Sequence, residues 1–231
     1  MGESVKGKTA LVAGATGLVG GELVKLLLAD EAYAEVVVLV RKPAALPAGG
    51  KLTQVVTDWS DEQVTEVMRE KGRGAEVFCA LGTTMKQAGT KERFRKVDFD
   101  YPLLLGRLAE RYGASAYVIV TAVGSDPRSV FFYSRVKGEL EAELQSLSIP
   151  ALHIFRPSLL LGNRSEVRPG EKLGERLSGL FALAMIGSWR KYRPIQAETV
   201  ARGMAAAVKQ GGGGAAKYEY EQITALSGRG G

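Results

Sequence analysis

The chain has 231 residues, 45% hydrophobic and 24% charged, with 31 basic and 25 acidic side chains giving a net charge of +6. This size suits one domain with a substantial core, and the composition is that of a soluble globular protein rather than a disordered, fibrous or membrane-spanning chain. The basic excess is scattered, with small clusters at Arg93 to Lys96 and Trp189 to Arg193; it favours anionic small molecules or solubility, and a nucleic-acid partner is not expected.

Nothing at the N-terminus resembles a leader peptide, so a cytoplasmic location is the expectation. "TALVAG" (Thr9 to Gly14) reads as a first strand and the segment near Gly20 to Asp30 as a first helix. Gly14, Gly17 and Gly20 punctuate their junction, with Thr16, Leu18 and Val19 between them. Glycines there allow a tight turn, close approach of backbone to a pyrophosphate and close packing of helix on strand, while the helix N-terminus faces negative charge. The G-x-x-G-x-x-G spacing after a strand and before a helix therefore predicts dinucleotide binding. The second strand, "EVVVLV", runs into Arg41 and Lys42. A basic pair at that point suits the added phosphate of NADP(H), with NAD(H) the other option and a solvated loop pair the plainer one. "LTQVVTD" is a third strand ending at Asp58, a candidate acceptor for the adenine amino group, and Ser60 with Gln63 fits a capping box opening a helix to Lys71.

"AEVFCALG" (Ala75 to Gly82) is a fourth strand whose end, Ala80, Leu81 and Gly82, is expected to touch cofactor. Cys79 there reads as a small buried hydrophobe, and as the only cysteine it excludes an internal disulfide. A helix spans Lys91 to Tyr112, kinked or divided at Pro102. After a fifth strand (Ala116 to Ala122), the stripe Phe132, Val136, Leu140, Leu144 and Leu147 predicts a helix with Tyr133 and Lys137 one turn apart beside it. Standing alone, that pair reads as an aromatic ring packed on a lysine stem. "ALHIFR" is a sixth strand; its His153, the single histidine, is expected in or beside the sheet, which leaves no histidine-rich metal site.

Beyond Arg156 the rhythm changes to a long loop, helical segments near Glu175 to Ile186 and Ala197 to Lys209, a glycine connector, a strand-like start to "KYEYEQITAL" and a loose tail. "LSGLFALAMIGSW" is too short and interrupted to span a bilayer and reads as a buried helix or lid, with a membrane-surface helix as the alternative. Arg164 and Arg168 are either anionic-substrate contacts or solvated loop charges. Alternating strands and helices predict an α/β fold, a doubly wound parallel sheet in one domain over residues 1–231, with 157–231 covering the substrate side.

Taken in order, "CALGTTMKQAG", "VDFDYPLLLGRLAERYGA", "FFYSRVKGELEAEL", "FRPSLLLGNR" and "RPGE" resemble the atypical branch of the short-chain dehydrogenase/reductase superfamily, and within it the Tat-interacting-protein group of oxidoreductases. The resemblance covers about Lys8 to Val208. It implies that Tyr133 and Lys137 are the catalytic acid/base pair, that Lys137 also holds the nicotinamide ribose hydroxyls, and that Pro157 in "FRP" passes behind the nicotinamide. It also implies a homodimer built on the helices containing Leu103 to Tyr112 and Phe132 to Leu147. The chemistry is consistent: a free phenol titrates near ~10, and a neighbouring ammonium favours its phenolate. Two positions depart from the superfamily pattern. Ala122 stands where a carbonyl-orienting serine is expected, which leaves Thr121 as the chosen hydroxyl and Ser125 as the alternative, and Asp98 stands where many relatives carry asparagine. The expected function is an NADP(H)-dependent oxidoreductase acting on a small carbonyl or alcohol. The alternatives are an NADPH-binding regulatory or scaffold protein without turnover, and a nucleotide-sugar epimerase or dehydratase.

Overall fold

The computed structural model describes residues 7–47, 49–162 and 187–228. The helix expected near Glu175 to Ile186, together with Arg164 and Arg168, lies outside them. In chain order the elements are β1 (Lys8–Ala13), α1 (Leu18–Ala29), β2 (Tyr33–Val40), β3 (Leu52–Val56), α2 (Asp61–Lys71), β4 (Glu76–Cys79), α3 (Met85–Ala88) and α4 (Lys91–Arg95). There follow a π turn (Lys96–Asp100), α5 (Tyr101–Arg111), β5 (Ala116–Val120), α6 (Phe132–Gln145), β6 (Ala151–Phe155), β7 (Leu160–Leu161), a 3₁₀ turn (Gly187–Tyr192), β8 (Ile195–Gln196), α7 (Ala197–Gln210), β9 (Gly214–Tyr218) and α8 (Tyr220–Ser227).

Seven strands form one sheet in the order β3-β2-β1-β4-β5-β6-β9, and every neighbouring pair is parallel. Successive strand residues point to opposite faces, and both faces are covered. On one side Ala10, Val12, Val36, Val38, Phe78 and Val118 pack with α1, α7 and α8; on the other Leu11, Ala13, Val37, Leu39, Val77 and Ile119 pack with α2, α5 and α6. That is the expected doubly wound sheet. From β1 the chain proceeds outward to β2 and β3, then returns to β4 on the opposite flank. The crevice past the carboxyl ends of β1 and β4 is the switch point where ligands of such sheets bind.

Three local expectations are corrected. Ser60 Oγ accepts from the Gln63 amide, but the Gln63 side chain accepts from Asp58 N at 3.0 Å, because Ser60 N already donates to Asp58 Oδ1 at 2.8 Å; only half of the capping box forms. The long helix is divided by a π turn rather than by a kink at Pro102, which sits in the first turn of α5. Proline has no N–H to return to the carbonyl four residues back, and the preceding Tyr101 N–H reaches instead to Lys96 O. Last, β9 starts within the glycine run at Gly214 and ends at Tyr218, and the rest of "KYEYEQITAL" is the helix α8.

Candidate functional site

The first wall of the site is backbone. Gly14 follows β1 with φ at 87°, and a Cβ there would lie 2.5 Å from the Ala80 carbonyl; a Cβ on Gly20 would lie 2.1 Å from Gly14 O. Only glycine allows the end of β1, the end of β4 and the first turn of α1 to approach so closely. Gly17 is the N-cap of α1, without a side-chain cap and without an acidic residue in the first turn. The first amides of such a helix have no intrahelical acceptors and favour an anion. This cradle fits a dinucleotide's pyrophosphate.

The second wall is side chain. α6 places Tyr133 and Lys137 one turn apart, with Tyr133 40% exposed and Lys137 buried. The Tyr133 ring sits 5.6 Å from that of buried Phe94 in α4, which fixes its tilt. Lys137 Nζ lies 2.8 Å from Asp98 Oδ1, as an ion contact without a well-aligned hydrogen bond at that oxygen. Asp98 Oδ2 accepts from Thr83 N at 2.9 Å. Burial works to lower the Lys137 ammonium, but the Asp98 carboxylate, and after it Tyr133, keep it above the usual lysine range. Cys79, fully buried at the end of β4, is pushed up by burial.

One cavity of about 310 Å³ joins the walls and takes in Gly17, Leu18, Val19, Ala80, Leu81, Gly82, Thr121, Tyr133 and Lys137 from among the residues expected at the site. Gly14 and Gly20 form the turn behind it, and Thr16 is exposed within that turn. Arg41 and Lys42 are exposed just past β2. Exposed Asp58 follows β3, and its carboxyl is held below the usual range chiefly by the Ser60 amide. Pro157 is buried past β6, its carbonyl accepting from Val123 N at 2.9 Å. Thr121 Oγ1 is directed to Glu141 Oε1 at 2.7 Å and Phe155 O at 3.3 Å, and Ser125 Oγ donates to Ala122 O at 2.7 Å. Both candidate carbonyl-orienting hydroxyls thus have partners inside the protein. Sequence reading missed Thr83, Thr84, Ser158, Leu159 and Leu160 in the lining; no periodicity marks residues that reach a cavity from loops or, like Leu160, from a two-residue strand. Among the described residues there is no group of metal-binding side chains and no helix long and apolar enough to cross a membrane.

Residues 14–156 match the family described as NAD(P)H-binding. The rat protein HTATIP2 is 33% identical over 203 residues, 87% of this chain and 81% of the relative. The mitochondrial protein FMP52-1 of Scheffersomyces stipitis is 32% identical over 156 residues, 68% of this chain and 69% of the relative. Among solved structures, the Bordetella bronchiseptica enzyme WbmG in complex with NAD superposes with a TM-score of 0.70 at 13% identity, covering 94% of this chain and 74% of that one. UDP-glucose 4-epimerase from Thermotoga maritima, with UDP-glucose, gives a TM-score of 0.66 at 14% identity, covering 96% and 82%. At such identities these structures share the fold.

Proposed function

We propose, from the premise that this chain belongs to the NAD(P)H-binding family and to its atypical short-chain dehydrogenase/reductase group, that it is an oxidoreductase using NADP(H) to interconvert a small carbonyl compound and its alcohol. The observation that carries this reading is the half-exposed Tyr133 phenol over buried Lys137, in the same cavity as the α1 N-terminus. When bound, the dinucleotide supplies or accepts the hydride. Gly14, Gly17 and Gly20 let the backbone meet its pyrophosphate, and Lys137 would hold its ribose hydroxyls. Arg41 and Lys42 would meet the added phosphate of NADP(H), with NAD(H) the alternative where that contact fails. In reduction Tyr133 Oη gives its proton to the carbonyl oxygen as hydride reaches the carbon, so that C=O becomes CH–OH. The phenolate then recovers a proton from solvent. In oxidation the same phenolate takes the hydroxyl proton.

One observation favours a second reading, a dinucleotide-binding regulator without turnover: the hydroxyls of Thr121 and Ser125 are both directed to internal acceptors. Tyr133→Phe separates the two. For an oxidoreductase it should leave dinucleotide affinity within about twofold and lower single-turnover carbonyl reduction by ~10²-fold or more, since ring packing is kept and the proton donor is lost. Turnover at the wild-type rate in that variant overturns the mechanism, and tight binding with no turnover across a carbonyl screen favours the regulator. Residues 1–231 as a single domain, a homodimer pairing α5 and α6, and a cytoplasmic location belong to the same reading. Limited proteolysis, sedimentation across concentrations and cell fractionation test these, the last against relatives whose names carry "mitochondrial".

A further inference from the structure

We propose that Asp98 is a positioning residue that pairs with Lys137 and offsets its charge beside Tyr133, biasing the site toward giving a proton rather than taking one. This rests on the oxidoreductase reading for its direction of catalysis, but its electrostatic content stands on geometry alone. Asp98 is 1% and Lys137 3% exposed, and the 2.8 Å between their charged atoms excludes water from the contact. The pairing originates in the chain's local sequence. Pro102 cannot return an N–H to Asp98 O, the helix widens into the π turn, and Asp98 is carried inward against α6 instead of staying on a solvated helix face. The Thr83 amide then fixes one carboxylate oxygen, leaving the other toward Lys137.

The titratable groups acting on Lys137 are Asp98 from the π turn, Tyr133 from its own helix and Cys79 from the end of β4. Their effects keep the ammonium charged in a buried site. An unpaired buried ammonium one turn from a phenol would favour phenolate strongly; a carboxylate at 2.8 Å cancels most of that field. The pair together presents little net charge to Tyr133, which suits proton donation to a carbonyl more than proton removal from an alcohol.

The test needs no substrate. The apo protein is titrated with alkali while phenolate ultraviolet absorbance is followed, and the contribution of Tyr133 is taken as the difference from the matching Tyr133→Phe protein in each background. Asp98→Asn keeps the shape and the acceptor for Thr83 and should bring the Tyr133 phenolate onset down by about one pH unit or more. Lys137→Met should move it up by a similar amount, because Asp98 is then the unpaired charge. The double variant, lacking both charges, should return near the wild-type onset. A purely structural pair would change stability in the single variants without moving the onset in opposite directions. An unchanged onset in Asp98→Asn, or a double variant displaced as far as Lys137→Met, overturns the proposal. Where one single variant fails to fold, the onset of the other decides: a shift in the stated direction supports the pairing, and an unmoved onset overturns it. With a substrate in hand, Asp98→Asn should also raise the ratio of alcohol oxidation to carbonyl reduction at neutral pH about tenfold. Opposite onset shifts without any turnover would support the charge pairing and count against the oxidoreductase reading.

Discussion

The two flanks of the sheet build their share of the ligand edge from different materials. At β1 and α1 the edge is backbone: glycines, free helix amides and apolar residues, with Arg41 and Lys42 in solvent beyond β2. The buried carboxylate Glu76 sits at the opposite end of those strands, 2.7 Å from Lys8 and accepting from the Tyr33 hydroxyl. At β5, α6 and β6 the edge is side chain, and Thr121, Ser125, Lys137 and Glu141 are all buried there. Glu141 accepts from Thr121 Oγ1 at 2.7 Å and from Arg156 Nε at 3.0 Å, joining α6 to both strands. A backbone cradle tolerates changes in nearby side chains. A set of buried charges depends on every partner, because removing one leaves another without compensation.

The largest expected effect on stability follows from that dependence. Glu141→Gln keeps the shape but removes the charge facing Arg156, whose side chain is 18% exposed and has Glu219 only at 3.8 Å. Partial solvation of Arg156 places the loss at the low end of the range for a broken buried pair, about 3 kcal/mol. Urea unfolding measures it, with dinucleotide affinity retained in the folded fraction. A loss below about 1 kcal/mol would mean that this flank is held by apolar packing like the other, and the contrast would collapse.

The same contrast explains what could be read from sequence. The β1 cradle was legible because its requirement is the absence of a Cβ at fixed spacing, and Gly14 and Gly20 display that directly in the chain. The doubly wound parallel sheet followed from alternating strands and helices, and the placing of Tyr133 and Lys137 one turn apart from helical spacing. The partners on the other flank lie far apart in sequence: Asp98 reaches Lys137 across β5, and Glu141 reaches Arg156 across the α6–β6 turn. No local period links such positions. Thr121 could be named as a hydroxyl near the site, but the direction of that hydroxyl toward Glu141 depends on burial of a carboxylate that an amphipathic pattern assigns to the solvated face. Pro102 marks an interruption of the helix in sequence, but that the interruption is a π turn placed before it, over Lys96–Asp100, and what that turn does to Asp98, required three-dimensional packing.

A smaller effect sharpens the comparison from the cofactor flank. Arg41 is exposed, so Arg41→Ala should leave stability within about 0.5 kcal/mol, whereas in the proposed NADP(H) reading it removes a charge-assisted contact to the added phosphate. NADPH affinity should fall about tenfold, equivalent to ~1.4 kcal/mol, with NADH affinity unchanged. Titration calorimetry with both dinucleotides reads the difference. Equal losses for the two would remove Arg41 from the proposed phosphate contact and with it the argument for a preference for NADP(H).

The smallest expected effect is a change of slope, and it probes the side-chain flank away from the cavity. His153, in β6, has Nδ1 2.9 Å from the Tyr218 hydroxyl of β9, and burial holds its imidazole below the ordinary value of 6.5. The neutral ring is therefore favoured in the folded protein. As pH falls through 6.5 the unfolded chain takes up a proton that the folded chain does not, so the unfolded state binds more protons and stability declines toward lower pH. The contribution is present in full above the unfolded value and is lost as pH falls below it toward the depressed folded value. Because this is the only histidine, His153→Gln should flatten unfolding free energy against pH just below 6.5 while leaving dinucleotide affinity unchanged. An undiminished slope in that variant would assign the acid sensitivity to carboxylates, with the Glu141 cluster the first to test, and would leave the β6–β9 edge as apolar in its energetics as β1 and β2.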